Sequence, residues 1–389
     1  MAKKAHLFLI CFACVWFINC SPSSESAKRI IENGVEVIVN KMTPNTIHGK
    51  PCKLILHKEF TLDTESHDII EAGLGDAGEI AVDYNGNIYI VGFKNRENFI
   101  YKFDRQGHII SSFGKMGQGP GELQWPLFPQ ITKDNEFVIS DAQARKIVFY
   151  NLDGTFMKEI PFGKTGMMIA QPLDNGNYLM YGVISFNSSV DYLISGLALY
   201  DSILKKIRNI EIYKYPQQMN QLRLHPFFMW RIANGLIYTI NEERGYEICA
   251  YNLDGRLVRK IRKDYKRVSP TEEIKKSILG PGYDETGSMN KGYFPTYMPP
   301  LNRFFIDDEG RIFAMTYERG NHSNEYFYDI FDPRSFFIDR VGLPETWLGA
   351  VSIGPQYAVI KNHYLYWRHS KEDSGYVEII VYRMKWDCS

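Results

Sequence analysis

The sequence lacks an excess of charge of either sign, since 45 Lys and Arg residues balance 45 Asp and Glu residues. Proteins that bind nucleic acids normally carry a basic surplus, so the composition argues against a nucleic-acid partner. The sequence also lacks the HExxH and GxSxG motifs of metalloproteases and serine hydrolases, and its His residues form no HxH pair. These absences predict a protein with no metal, no cofactor and no recognisable catalytic residues.

Cysteine is scarce, with six residues, and two of them lie in a segment that is expected to be removed. Cys11 and Cys14 form a CxxC motif, which is typical of redox or metal sites. Both lie in the apolar run 5–18, which follows two lysines and is too short to span a bilayer comfortably. The pattern predicts a signal peptide over residues 1–19, so the CxxC motif carries no chemistry in the mature protein.

The end of the apolar run reads FINC at residues 17–20, and the polar stretch SPSSES follows. This sequence resembles the lipobox of bacterial lipoproteins, in which the cysteine is acylated and becomes the mature N-terminus. The resemblance implies that Cys20 is the lipidation site and that residues 20–50 are a lipid-anchored tether. It also implies a membrane of the bacterial cell envelope as partner. A secreted protein without an anchor is the alternative.

Aromatic residues are abundant, at 14% of the chain, and they mark a repeat. The pentapeptide YNLDG occurs at residues 150–154 and again at 251–255, and its Asp-Gly pair is typical of a tight turn. An aromatic residue in front of a turn recurs with a period of about fifty residues and one longer interval. The aligned residues are Phe103, Tyr150, Tyr200, Tyr251, Phe331 and Tyr382.

Each aligned aromatic residue lies in a strand-like run of its own. Two further runs precede that run and one follows it, which is the pattern of a four-stranded propeller blade. The last repeat ends after its third strand, whereas the run 53–62 has no repeat of its own. We therefore predict an all-β, six-bladed β-propeller of four-stranded antiparallel blades over residues 51–389. The run 53–62 is predicted to close the ring as the outer strand of the last blade. A pair of β-sandwiches is the alternative.

Three stretches also carry a family resemblance. Residues 80–107 and 140–154 resemble the NHL class of propeller repeat, and residues 113–123 resemble a feature of the bacterial six-bladed β-propeller lipoproteins. The resemblance implies the same propeller fold. It implies no particular activity, because that family is largely uncharacterised and the fold serves many functions.

The remaining cysteines fit this topology. Cys52 precedes the closing strand and Cys388 follows the strand with which it is predicted to pair. Antiparallel pairing brings these two positions together, so we predict a disulfide between Cys52 and Cys388. Cys249 aligns with buried strand positions in other blades and is predicted to be a free thiol.

The innermost strands of a propeller supply the side chains that converge on its central channel. This set includes no His, and each of its two carboxylates lies beside a Gly-containing turn, which favours Asx turns over metal ligands. The set therefore argues against a metal-centred enzyme. Its members are Asp83, Gln130, Gln171, Arg231, Asp307 and Lys361.

Connections alternate between the two faces of a propeller, so the second-to-third strand loops, the crossover 115–128 and an insert at about 263–300 share one face. The opposite face carries only short turns, with little to contact a ligand. We predict binding on the first face, because it collects the residue types that supply binding energy. The predicted binding residues are Arg96, Trp125, Arg145, Arg244, Tyr293, Tyr297 and Arg319.

Each of these features has a structural alternative. The arginines have acidic neighbours with which they can form ion pairs between blades. The Gly-rich stretch 117–122 is either a shaped crossover or a cradle for an anion, and the insert either binds a ligand or covers the channel. We predict a non-catalytic cell-envelope lipoprotein that binds a glycan, peptide or protein. The alternative is a propeller lyase or hydrolase that acts on a glycan or peptide.

Overall fold

The computed structural model describes most of the chain. The described residues are 27–46, 52–93, 97–186, 192–216, 228–279, 294–322, 325–344, 357–371 and 376–387. Three strands and a short helix come first: β1 (Ala27–Glu32), β2 (Val35–Asn40), β3 (Lys53–Asp63) and α1 (His67–Glu71). Among the described residues, no helix is long and apolar enough to cross a membrane.

The next twelve strands form three consecutive antiparallel sheets, each given from its inner to its outer strand. Blade 1 contains β4 (Ile80–Val82), β5 (Ile88–Val91), β6 (Asn98–Phe103) and β7 (Ile109–Lys115). Blade 2 contains β8 (Pro126–Ile131), β9 (Glu136–Asp141), β10 (Lys146–Asn151) and β11 (Phe156–Pro161). Blade 3 contains β12 (Ile169–Pro172), β13 (Tyr178–Phe186), β14 (Tyr192–Tyr200) and β15 (Lys206–Pro216).

The remaining blades incorporate the N-terminal strands. Blade 4 contains β16 (Phe228–Ala233), β17 (Leu236–Asn241), β18 (Glu247–Asn252) and β19 (Leu257–Lys263), and β2 and β1 extend it outwards. Blade 5 contains β20 (Arg303–Ile306), β21 (Ile312–Arg319), β22 (Glu325–Phe331) and β23 (Phe337–Pro344). Blade 6 contains β24 (Ala358–Lys361), β25 (Tyr364–Ser370), β26 (Val377–Asp387) and β3.

The pairing of β3 with β26 closes the ring. The two strands are antiparallel along their full length, from Lys53 opposite Asp387 to Asp63 opposite Glu378. The predicted fold class, with six blades and an N-terminal strand that completes the last one, is therefore confirmed. The pairing also covers the edge of β26, which would otherwise be open.

Strand alternation explains how the blades pack. In β10, Ile147 and Phe149 belong to the apolar cluster between blades 2 and 3. Val148 and Tyr150 belong to the cluster between blades 1 and 2. Because successive side chains point to opposite faces of a sheet, and both faces are covered by a neighbouring blade, the four central residues of β10 are all apolar or aromatic.

The repeated YNLDG segment is the third-to-fourth strand turn of blades 2 and 4. Gly154 has a φ of +93° and donates a 2.9 Å hydrogen bond to the carbonyl of Asn151. A Cβ at Gly154 would lie 2.7 Å from Cδ1 of Phe113 in blade 1, so the turn packs directly on the preceding blade. The Tyr150 hydroxyl donates to the carbonyl of Gly121 at 2.6 Å. Both the glycine and the aromatic residue are thus required by contacts between blades.

Part of the predicted tether is folded. The sequence predicts a tether over residues 20–50, whereas residues 27–40 form the β1–β2 hairpin on the edge of blade 4. Asn33 and Gly34 both have positive φ, as a tight hairpin turn requires. The Asn-Gly pair between alternating apolar residues is a hairpin signal that the sequence analysis missed.

The described part of the insert packs against the propeller. Its helix α2 (Glu272–Leu279) begins after Thr271, whose hydroxyl accepts a 3.2 Å hydrogen bond from the backbone N–H of Ile274. Ile274 and Ile278 are buried in the apolar cluster between blades 5 and 6. The helix therefore has a structural role, because it packs on the junction of blades 5 and 6.

The antiparallel blades define two faces. We call the one with the first-to-second and third-to-fourth strand turns the turn face. We call the other, which carries the second-to-third strand loops, the crossovers and α2, the loop face.

Candidate functional site

The central channel opens into a cavity of about 260 Å³ on the turn face, which we call the channel mouth. The inner strands of all six blades line it, together with the turns that follow them. The short turns of this face predict little contact with a ligand. The cavity arises instead from the convergence of six inner strands, which no single turn length reveals.

Polar groups on neighbouring inner strands connect the blades inside the cavity. Trp230 Nε1 donates a 2.8 Å hydrogen bond to Gln171 Oε1, and Gln130 Nε2 donates to the carbonyl of Pro172 at 3.2 Å. The Gln130 Oε1 atom is buried and accepts no hydrogen bond from the described residues. Such an atom is an available acceptor in the wall of the cavity.

Two aromatic rings on the cavity wall stack on each other. The rings of Phe128 and Trp230 lie 5.2 Å apart at an angle of 13°. Phe128 has a φ of +56° at a bulge in β8, and its backbone N–H donates to the buried carboxylate of Glu79 at 3.1 Å. A positive φ is strained for a bulky residue, so the Glu79 hydrogen bond and the stacking hold this wall in place.

Three basic side chains belong to the lining: Lys133, Arg231 and Lys361. The Arg231 Nη1 atom donates to the carbonyl of Trp230 at 2.8 Å. Burial lowers the pKa of the Arg231 guanidinium to about 10, while the Glu79 carboxylate acts in the opposite direction, so the group is protonated at neutral pH. Lys361 Nζ lies 3.9 Å from the ring centroid of Tyr84. Burial lowers the pKa of Lys361, and Asp308 opposes this shift.

Tyr84 extends the site beyond the channel. Its side chain is 53% exposed at the edge of the cavity. It also lines a shallower depression towards blade 2, together with Asn85, Lys133, Asn135 and Leu152. The two depressions share Tyr84 and Lys133, so they form one continuous surface on the turn face.

The two carboxylates of the inner strands are Asx-turn residues, as predicted. Asp83 Oδ1 accepts from the backbone N–H groups of Asn85 and Asn87, both at 2.9 Å. Asp307 accepts from the backbone of Arg311 at 2.7 Å and forms a 3.1 Å ion pair with the same residue. Within the described residues, no group of three or more His, Cys, Asp or Glu could hold a metal ion.

Two of the predicted binding arginines form structural ion pairs. Arg244 contacts Glu211 of blade 3 at 2.7 Å and Glu247 at 3.5 Å. Arg319 pairs with Glu273 of the insert, and its guanidinium lies 4.3 Å from the ring centroid of Tyr326. For both residues the ion-pair alternative is the one observed, because each guanidinium is engaged by an acidic side chain from another element.

The other predicted residues are spread over the loop face. Trp125 is 52% exposed and packs against Phe93, with ring centroids 5.4 Å apart. Arg145 is exposed, and Tyr297 is 46% exposed beside the guanidinium of Arg267. Arg96 and Tyr293 lie outside the described residues, as do Cys20 and Cys388.

The Gly-rich stretch 117–122 is a shaped crossover. The Glu122 carboxylate accepts a 2.8 Å hydrogen bond from the backbone N–H of Gly119, and it occupies the space that a Cβ at Gly117 would need. Lys146 and Tyr150 donate to the carbonyls of Gly119 and Gly121, respectively. The loop therefore binds its own carboxylate in the place where an external anion would lie.

A comparison with known families agrees with this architecture. Residues 71–209 match the model of a family, DUF5128, described as a 6-bladed beta-propeller. The matched residues extend from α1 to the start of β15. The match confirms the predicted resemblance to a six-bladed propeller family. No curated protein matches the sequence.

Several solved structures are similar to this chain at low sequence identity, with TM-scores below 0.5. A Bacteroides fragilis protein described as exported is 13% identical with a TM-score of 0.48, over 90% of this chain and 99% of that one. A member of the duf4221 family from Bacteroides vulgatus is 11% identical with a TM-score of 0.47, over 87% and 99%. Virginiamycin B lyase from Staphylococcus aureus is 10% identical with a TM-score of 0.34, over 85% and 88%. None of these similarities assigns a function.

Proposed function

We propose that the protein is a non-catalytic binding propeller of the bacterial cell envelope, and that it takes a polar end of a glycan, peptide or protein partner into the channel mouth. The observation that carries this proposal is the Gln130 Oε1 atom, a buried acceptor in an open cavity that accepts no hydrogen bond from the described residues. A buried acceptor without a donor costs free energy, so a ligand donor at this position would be favoured.

The dimensions of the site favour one residue of a longer ligand. Small-molecule pockets typically enclose about 300–1,000 Å³, and the channel mouth is slightly smaller, at about 260 Å³. The adjoining depression beside Tyr84 offers a surface for the next residues of a chain-like ligand. A glycan or peptide that enters by its end and continues past Tyr84 fits this arrangement.

Among the groups around the cavity, Gln130 and Arg231 are suited to binding rather than to proton transfer. The inner-strand carboxylates of Asp83 and Asp307 are held by turn hydrogen bonds. Arg231, with a pKa of about 10, stays charged near neutral pH. An effective general acid or base has a pKa near the working pH, which neither the amide of Gln130 nor this guanidinium provides.

The envelope location is supported by the FINC motif at residues 17–20 and the apolar run before it. A lipid-anchored propeller would present its binding surface to the compartment outside the cytoplasm. Its ligand would then be a component or a substrate of the envelope.

The test begins with purified protein and arrays of glycans and peptides, followed by calorimetry on the best ligand. Gln130→Leu and Tyr84→Ala should each weaken binding, Gln130→Leu by about 1–3 kcal/mol for the lost buried hydrogen bond. Matched controls are Gln143→Leu and Tyr297→Ala, which alter exposed residues on the loop face.

Two outcomes would contradict the proposal. If Tyr297→Ala or Arg145→Ala weakens binding while Gln130→Leu and Tyr84→Ala do not, the site lies on the loop face. If the ligand is recovered chemically changed, the protein is an enzyme. Binding measurements on the variants test the first outcome, and mass spectrometry of the ligand after incubation tests the second.

A further inference from the structure

Lys361 brings an ammonium group without an acidic partner to the channel mouth. Its Nζ atom lies 3.9 Å from the ring centroid of Tyr84, and the side chain is partly buried. Among the described residues it forms no hydrogen bond and no ion pair. A partly buried cation has lost some of its hydration, so an anionic group of a ligand would be favoured beside it.

A second lysine lies on the other side of Tyr84. Lys361 ends the inner strand of blade 6, whereas Tyr84 and Lys133 follow the inner strands of blades 1 and 2. β4 contacts both β24 and β8, so blade 1 lies between blades 6 and 2. Lys133 Nζ donates to the carbonyl of Asp174 at 3.1 Å, which is an uncharged acceptor. Tyr84 therefore stands between two ammonium groups whose charges are not neutralised by an ion pair with a described residue.

The carboxylates of the lining lie on other blades. Asp174 belongs to blade 3, and Asp307 and Asp308 belong to blade 5. Asp307 is neutralised by its 3.1 Å ion pair with Arg311. Asp308 accepts a 2.9 Å hydrogen bond from the backbone N–H of Asn362 and forms no ion pair with a described residue. The described lining residues of blades 6, 1 and 2 include no carboxylate, so that side of the mouth is positively charged.

The same side of the mouth offers one hydrogen-bond acceptor. Gln130 Oε1 is buried in blade 2 and accepts no hydrogen bond from the described residues. An ammonium group only donates, whereas this oxygen only accepts. A ligand residue that satisfies both carries a carboxylate for the lysines and a hydroxyl for Gln130.

The surroundings of Tyr84 suit a sugar ring. The Tyr84 side chain is 53% exposed, and the exposed amides of Asn85 and Asn135 line the adjoining depression. Neither amide forms a side-chain hydrogen bond to a described residue. The C–H groups of a pyranose pack on an aromatic ring, and its hydroxyls pair with amides, which both donate and accept.

A peptide C-terminus fits this side of the mouth less well. Carboxylates at peptide ends are typically captured by backbone N–H groups in a nest. In the turns of blades 1 and 5, such N–H groups are already bound by the side chains of Asp83 and Asp307. The donors that remain around Tyr84 are lysine and asparagine side chains, which favours a sugar over a peptide.

From these observations we propose that the channel mouth binds a glycan through a sugar residue that carries a carboxylate, of the hexuronic acid class. The carboxylate lies between Lys361 and Lys133, and a hydroxyl of the same residue donates to Gln130. The next sugars continue past Tyr84 into the adjoining depression. The inference rests on the proposed function, from whose three ligand classes it selects the glycan, and it adds the negative charge.

The test is calorimetry of the full-length protein with α-linked trigalacturonate and β-linked triglucuronate, each compared with its methyl ester. The ester has the same shape and hydroxyls but no charge. At least one acid should bind about tenfold or more tightly than its ester, because hydrogen bonds to charged groups are the stronger ones. This preference should shrink as salt is added, because salt screens the charges at the open mouth.

Lys361→Met keeps an aliphatic stem beside Tyr84 and removes the charge. It should reduce the preference for the acid to about twofold or less and leave binding of the ester unchanged. The matched control is Lys205→Met, which alters an exposed lysine of a blade 3 turn outside the lining. This control should keep the full preference. The ester comparison needs no variant, so it decides the question even if Lys361→Met fails to fold.

Three outcomes would overturn the inference. They are acids that bind no more tightly than their esters, a preference that persists in folded Lys361→Met, and a peptide with a free C-terminus that binds through Lys361 in place of the acidic sugars. The first outcome leaves the proposed function standing if a neutral glycan or a peptide still binds and Gln130→Leu weakens that binding. If no glycan or peptide binds at all, the proposed function fails as well.

Discussion

Trp230 of blade 4 donates a 2.8 Å hydrogen bond through its indole N–H to the side-chain oxygen of Gln171 in blade 3. The bond crosses between two inner strands at the wall of the channel mouth. The Trp230 side chain is only 2% exposed, so water replaces this donor poorly. This hydrogen bond therefore contributes both to the packing of blades 3 and 4 and to the shape of the candidate site.

Replacing Trp230 by Phe should therefore destabilise the protein by about 1–3 kcal/mol, because it leaves the Gln171 oxygen without its donor. Urea unfolding measures the change. Trp125→Phe is the matched control, since Trp125 is 52% exposed, and it should change the free energy of unfolding by no more than about 0.5 kcal/mol. Equal effects of the two substitutions would show that the indole hydrogen bond is unimportant.

Gly154→Ala should be more destabilising than Gly176→Ala. Both glycines have positive φ, of +93° and +83°, so both substitutions introduce similar backbone strain of about 1 kcal/mol. Only Gly154 would place a Cβ against Phe113, and overpacking adds about 1–3 kcal/mol. Thermal or urea unfolding of the two variants isolates the contact between blades 1 and 2. A larger effect at Gly176 would contradict this account of the YNLDG turn.

Acid should loosen the N-terminal hairpin. Hydrogen bonds from Arg262 lower the pKa of Glu32 from its ordinary value of 4.5. A carboxyl with a lowered folded-state pKa contributes stability above its unfolded pKa, and that stability is lost as the pH falls through the folded value. Hydrogen exchange in β1 should accelerate on acidification, after correction for the intrinsic exchange rate.

The control for this prediction is Glu32→Gln. It should raise exchange in β1 at neutral pH and remove most of the further loss of protection in acid. Glu71→Gln, on an exposed residue of α1, should change neither. If β1 in the Glu32→Gln variant loses protection in acid as strongly as in the unmodified protein, another group is responsible.

A disulfide between Cys52 and Cys388 remains a prediction, because Cys388 lies outside the described residues. Its support is the register of β3 and β26, whose last pair joins Lys53 and Asp387, the immediate neighbours of the two cysteines. Non-reduced peptide mapping should find the cross-link, and Cys388→Ser should lower stability by about 2–5 kcal/mol. A link from Cys52 to Cys249 would refute it. Burial raises the pKa of the Cys249 thiol to about 12, so this group should resist alkylation in the folded protein.

The lipid anchor is tested by Cys20→Ser. The substitution should move the protein from the membrane to the soluble fraction of the envelope, because the thiol is the acylation point in the lipobox pattern. Immunoblots of fractionated cells measure the distribution, with Cys249→Ser as control. Unchanged retention of Cys20→Ser in the membrane would contradict the lipoprotein interpretation.

The sequence by itself determined the propeller fold. Blade number and ring closure follow from the spacing of Phe103, Tyr150 and their equivalents and from the unpaired run 53–62. Strand alternation and turn residues are local properties of the sequence, so the same pattern can be read once in each of the six repeats. The Asx turns at Asp83 and Asp307 were predictable for the same reason, since each carboxylate bonds to backbone only a few positions away. The Asn33–Gly34 hairpin was equally local, and its signal was available.

Only the tertiary structure decided which residues meet across blades. Arg244 finds its partner Glu211 in blade 3, Phe128 stacks on Trp230 two blades away, and the hairpin end binds to Phe337 of blade 5. The channel mouth lies on the turn face because six inner strands converge there, which depends on blade twist and on the bulge at Phe128. These contacts join positions distant in the chain, and their geometry comes from packing the blades around one axis, so no local pattern of residues encodes them separately.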